Sequence, residues 1–112
     1  MLSLQEISDR LEIQDVMIAY ASAIDRRKFD ELDNVFTPDA YIDYRELGGI
    51  DGRYPDVKKW LSKVLPNFPA YQHLNSNLEI KISGDSAQTR TMCFNPMVIA
   101  LPEGGQSVMY CG

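Results

Sequence analysis

The chain is poor in the residues that announce most common chemistries. Its 112 residues hold one histidine, one tryptophan and two cysteines. One histidine and two well-separated cysteines do not make a zinc site. The glycine-rich stretch GGIDG at 48–52 lacks the spacing and the following Lys-Ser/Thr of a phosphate-binding loop. No Gly-x-Ser-x-Gly is present for a nucleophile elbow. Basic residues are outnumbered, 11 against 16 acidic, for a net charge of −5. That balance lacks the electrostatic footprint for nucleic acid or an anionic membrane. The nearest basic cluster, Arg26-Arg27-Lys28, follows a helical stretch and is expected to favour the negative end of its dipole. No apolar run approaches bilayer-spanning length, and MLSLQEISDR turns polar too early for a signal peptide. Cys93 and Cys111 lie in apolar, strand-like contexts without CxxC spacing, so they are expected to be reduced, buried thiols in a cytoplasmic protein.

What is present is an ordinary globular composition, 45% hydrophobic and 24% charged, on a length that makes one domain, residues 1–112. Ser3-Leu4-Gln5-Glu6 fits a capping box. Ile7, Leu11, Met17, Ile18, Ala21 and Ile24 then recur at helical spacing, predicting a helix to about Arg26. Phe29, Leu32, Val35 and Phe36 predict a second, short helix that Thr37-Pro38-Asp39 closes. Ala40–Tyr44 has strand composition, Leu47–Gly52 reads as a loop, and a third helix starts at Pro55 and stops at Pro66. Asn67 to Tyr71 is a connector leading into His73.

Beyond it the period changes to two. Leu78, Ile80 and Ile82 alternate with polar residues, and Gly84-Asp85 turns the chain. In the next strand Ala87, Thr89, Thr91, Cys93, Asn95 and Met97 share one face, and Pro96 argues for a bulge, a bend or an edge position. Pro102–Gly105 is a further turn, and Gln106 to Cys111 begins another strand. Helices first and an antiparallel meander after them is an α+β pattern. A sheet curling around the first helices would leave a cone whose mouth suits a small molecule.

The stretch EIQDVMIAYASAIDRRKFDELDNVFTPDAYIDY, the segment YQHL and the Gly-Asp hairpin before a long strand together resemble the SnoaL-like proteins of the NTF2-like superfamily, in its scytalone dehydratase-like and bile acid dehydratase-like branch. The resemblance implies a curved antiparallel sheet packed on N-terminal helices. It also implies a sheet incomplete at the C-terminus, because the chain stops at Gly112 partway through the first of two late strands that the family carries. A homodimer or higher homo-oligomer, with strand exchange as one route, is the expected assembly.

The same resemblance implies a cofactor-independent dehydratase or isomerase acting on a hydrophobic, carbonyl-bearing ring compound; the alternative is a non-catalytic small-molecule-binding or dimerisation domain. Such chemistry needs a base working near neutrality and a donor toward a developing enolate oxygen. His73 is the implied base, Asp25 the carboxylate that fixes its tautomer, and Tyr20 the phenol donor. A carboxylate at a helix C-terminus needs a compensating donor or cation. At helical spacing Asp25 lies about 140° round from Tyr20, so the two must meet across a cavity. Tyr44 and Asn95 are candidate substrate-binding residues, with Asp43 replacing Tyr44 if the strand slips by one. Met92, Phe94, Met97 and Trp60 are expected in a core or a sheet-to-sheet face, and no metal is expected.

Overall fold

Ser3 starts the first helix as its spacing predicts. The Glu6 N–H donates to Ser3 Oγ at 3.1 Å and the Ser3 N–H donates to Glu6 Oε1 at 3.3 Å, so two otherwise orphaned donors are satisfied. Helix α1 runs Leu4–Asp25. It ends in a Schellman closure, with the Lys28 N–H donating to the Ala23 carbonyl at 2.9 Å and the Arg27 N–H to the Ile24 carbonyl at 3.1 Å. Arg27 sits at φ +59°, the left-handed position that glycine usually fills.

The computed structural model describes residues 1–112 and has the α+β class. The expected second helix is a 3-10 segment, Phe29–Asn34, and stops short of Phe36. The Val35 and Phe36 N–H groups both fold back on the Leu32 carbonyl, at 2.9 and 3.0 Å, which closes the turn before Pro38. Strand β1, Tyr41–Asp43, pairs antiparallel with β2, Asp51–Arg53, with Ile42 opposite Gly52. Leu47–Gly52 is therefore not all loop. Its last two residues belong to a strand made by the partner ladder, a cause that glycine content hides. Between them Arg45–Leu47 forms a further 3-10 turn. Helix α2, Tyr54–Val64, carries Pro55 in its first turn, and a last 3-10 turn, Leu65–Asn67, contains Pro66.

The remaining sheet has the order β3–β4–β5, from Leu74–Ser83, Ser86–Ala100 and Gln106–Cys111, all antiparallel. Its ladders do not join those of β1 and β2. A bulge between Ser76 and Glu79 interrupts the β3–β4 register, with Asn77 at φ +53°. Pro96 sits in the central strand and causes no bulge against β5, where pairing runs unbroken from Asn95 to Ala100. The β3 ladder ends at Leu74–Phe94, and the connector takes over there: the Gln72 N–H donates to the Pro96 carbonyl at 3.3 Å and the Val98 N–H to the Ala70 carbonyl at 2.7 Å. The missing proline N–H thus falls where β3 no longer asks for a donor.

The core gathers at one end, where Ala23, Ile24, Leu32, Val57, Leu61 and Met97 pack together. No residue of 1–22 or 66–94 is buried as a whole, although Tyr20 and the ring of His73 are largely enclosed. The molecule is accordingly long, 57 × 27 × 23 Å, with a radius of gyration of 15.9 Å against about 13 Å for a compact chain of this length. Met92 and Phe94 are not in the core; they lie half exposed on the outer sheet face, Phe94 stacked on Tyr110 at 5.6 Å. No helix is long and apolar enough to cross a membrane.

Candidate active site

Asp25 is the last residue of α1, so its carboxylate faces the partial negative charge of the helix end. Two donors from one residue offset that. The His73 backbone N–H donates to Asp25 Oδ2 at 2.8 Å, and His73 Nδ1 lies 2.6 Å from Asp25 Oδ1. A carboxylate only accepts, so this contact requires the proton on Nδ1 and leaves Nε2 of a neutral ring as the free lone pair. The imidazole is nearly enclosed, with 9% of the side chain exposed. Asp25 makes no ion pair with the neighbouring Arg26, Arg27 or Lys28; Arg27 turns instead to the carbonyls of Leu65 and Phe68.

Tyr20 stands one turn and a half earlier on α1. Its ring meets the imidazole edge to face at 6.2 Å, and its hydroxyl lies 2.5 Å from that of Tyr44. Burial pushes the Tyr20 phenol well up, helped by the neighbouring Tyr44, and burial raises Tyr44 as well. Both phenols therefore stay protonated across the neutral range. One proton closes the mutual hydrogen bond, and the other is left for a third oxygen. So the roughly 140° separation on the helix is bridged by the imidazole, which Tyr20 and Asp25 approach from different sides.

Tyr44 reaches the site from just beyond β1, and the alternative, Asp43, does not. Asp43 faces solvent and receives the Arg45 backbone N–H at 2.9 Å as well as its guanidinium, which together pull its pKa down to about 2. Tyr44 is held by its stack on Trp60, with centroids 6.1 Å apart, and by the tight return of the loop behind it. Gly49 makes that return possible: a Cβ there would stand 2.6 Å from Trp60 Cη2 and 2.8 Å from Tyr44 Cβ. Trp60 is thus a wall of the site and not simply core.

These groups border a cavity of about 500 Å³ between α1, α2 and the inner face of β4 and β5. Its walls are mostly apolar, with Met17, Leu61, Phe68 and Met109 among them. Asn95 projects into it from β4, 9% exposed, and its Oδ1 is buried without any hydrogen-bond partner. An orphan acceptor in such a place is costly unless a ligand supplies a donor. Cys93 and Cys111 are free thiols that also line the cavity, where a wholly buried setting was expected. Burial pushes the Cys93 thiol up, with the Asp25 charge adding to it, so it is held as S–H. The alternation along β4 that marks Asn95 marks Cys93 too; Gly49, Tyr71 and Arg27 had no such signal. No group of three or more His, Cys, Asp or Glu side chains is placed to hold a metal ion.

Comparison with known proteins agrees with this geometry at the level of fold. Uncharacterized proteins of Mycobacterium tuberculosis and Mycobacterium bovis are 62% identical over all 112 residues, which span 75% of their own length. A Kribbella flavida protein of known structure superposes with a TM-score of 0.78 at 21% identity, over 92% of this chain and 76% of that one. Two Novosphingobium aromaticivorans structures follow. One, provisionally named an aromatic ring hydroxylase, has a TM-score of 0.76 at 28% identity, covering 93% of this chain and 78% of its own. The other, provisionally named a scytalone dehydratase, has a TM-score of 0.75 at 23% identity, covering 93% and 69%. A family model described as the SnoaL-like domain matches residues 5–112, and the chain belongs to that family, within the NTF2-like fold.

Proposed function

We propose that this protein is a cofactor-independent acid–base enzyme that abstracts a proton beside a ring carbonyl, and in its full cycle eliminates water or shifts a double bond. The observation that carries the reading is the double hydrogen bond from His73 to Asp25, which leaves Nε2 as the one free imidazole nitrogen at an apolar cavity that also holds a protonated phenol pair. A hydrophobic cyclic ketone would place its carbonyl oxygen at the Tyr20–Tyr44 pair. Nε2 takes the adjacent C–H proton, Asp25 steadies the imidazolium, and the free phenol proton stabilises the enolate oxygen. If a hydroxyl sits on the next carbon, collapse of the enolate expels it as the imidazolium returns the proton, releasing one water. Asn95 Oδ1, lacking a donor of its own, would take one from a substrate hydroxyl. The provisional dehydratase name of one fold neighbour agrees with this chemistry.

The test is α-proton exchange in D₂O with cyclic ketones, followed by absorbance of the conjugated product from β-hydroxy analogues. Trp60, the only tryptophan and a wall of the cavity, reports binding by fluorescence quenching. His73→Ala is expected to slow exchange by about 10²- to 10⁴-fold while quenching persists. Quenching by wild-type protein with no exchange for any ketone would favour a binding domain and end the enzymatic reading.

A further inference from the structure

Asp25 and His73 belong to separate pieces of the chain, the end of α1 and the connector at 65–73, and their hydrogen bond spans the seam between them. Two other side chains cross the same seam. Arg27 donates from Nη1 to the Leu65 carbonyl at 3.3 Å and from Nη2 to the Phe68 carbonyl, and its guanidinium lies 4.7 Å from the centre of the Tyr71 ring. Tyr71 donates its hydroxyl to the Ile24 carbonyl at 2.9 Å, in the last turn of α1, and presents its ring at right angles to the imidazole, centroids 6.5 Å apart. Tyr71 is also bridged to Met97 of β4. Arg27, Tyr71 and the imidazole thus form one continuous chain of contacts over the helix end.

The geometry points to Arg27 and Tyr71 as positioning residues that hold the connector against α1 and thereby fix the Asp25–His73 hydrogen bond. The backbone at Arg27 argues for this. Glycine would hold φ +59° without steric cost, and an exposed arginine there strains the helix end while supplying nothing to the core. What its side chain does supply is the grip on the Leu65 and Phe68 carbonyls and the cation over Tyr71. This assignment rests on the reading of His73 as the base only for its purpose, since the hydrogen bond can be read without any substrate.

His73 is the only histidine, so the Nδ1–H proton and the ring nitrogens give unambiguous NMR signals. Arg27→Gly removes the grip while relieving the backbone, and Tyr71→Phe removes one hydroxyl. In both, the Nδ1–H proton is expected to exchange with solvent about tenfold faster, and the ring nitrogens to move toward a mixture of tautomers. Arg27→Gly should leave the Tm within about 2 °C of wild type. Arg27→Lys, with a single ammonium for two carbonyls, should fall between. Wild-type Nδ1–H exchange in both Arg27→Gly and Tyr71→Phe overturns the assignment. So does a loss that only parallels faster exchange of the α2 backbone amides. Ketone exchange in D₂O is scored separately: its absence in wild-type protein would count against the enzymatic reading and leave the NMR result standing.

Discussion

The two ends of α1 share one helix and almost nothing else. At the C-terminal end Ala23 and Ile24 are fully packed, the last carbonyls are capped, Tyr20 faces the cavity, and Asp25 holds the imidazole that borders it. At the other end Leu4 and Leu11 stand more than half exposed, and Arg10 touches the β3 backbone only through one 3.4 Å contact to the Ile80 carbonyl. The contrast teaches that the packed core and the candidate site share the same few residues. The far half of the helix is held by its own hydrogen bonds and its cap, while the near half is held by tertiary packing. Changes near the cavity therefore need a binding or stability measurement beside any rate, or a lost fold will pass for the loss of the proposed base.

The sharpest way to break that comparison is a matched pair of leucines. Leu32 is wholly buried under α1, and Leu11 is 57% exposed. Leu32→Ala is expected to cost about 2–5 kcal/mol, and Leu11→Ala less than about 0.5 kcal/mol, read from chemical denaturation midpoints. Equal losses would mean that the exposed half is covered by something in solution.

Gly49→Ala comes next. The added methyl would meet the Trp60 ring at 2.6 Å and Tyr44 Cβ at 2.8 Å, and Trp60 cannot retreat without leaving its stack on Tyr44. A destabilisation of about 1–3 kcal/mol is expected, with a shift in Trp60 fluorescence as the Tyr20–Tyr44 contact opens. An unchanged spectrum would show that the loop can yield.

Much of this was readable in the residues, for physical reasons that differ by element. The helix from Ser3 and the strand faces of β4 were legible because capping and alternation are local properties. That is how Asn95, and with it Cys93, could be placed toward one side. The pairing of His73 with Asp25 was legible only through resemblance, since nothing local in YQHL says where an imidazole 48 residues away will point. The strand at Asp51–Arg53 was hidden because a ladder partner, not composition, makes it a strand. Arg27 read as a charge near a helix dipole; its real targets, the carbonyls of Leu65 and Phe68, exist only once the connector folds back.

At the exposed end the cap should matter locally and little else. Ser3→Ala removes the acceptor for the Glu6 N–H and should cost the first turn about 1 kcal/mol or less. Amide exchange of the first turns would rise, while the Tm stays within about 2 °C, because that half contributes no buried side chain to the core. A large drop in Tm would instead tie the two ends of the helix together.

The smallest effect concerns acid, at the packed end. Tyr54 is 5% exposed and donates its hydroxyl to Asp33, which also meets Lys58 at 3.0 Å. The Tyr54 hydrogen bond, and then Lys58, hold the Asp33 carboxyl below its usual range. A carboxylate whose folded pKa is depressed favours folding above its unfolded pKa, near pH 4, and loses that contribution as pH falls through the folded value. Tyr54→Phe removes the first of those causes. The variant should be less stable at neutral pH, and its stability should fall less steeply than wild type between about pH 4 and pH 2. Parallel acid slopes would mean that Lys58 alone sets the titration of Asp33, and that the Tyr54 hydroxyl is merely satisfied there.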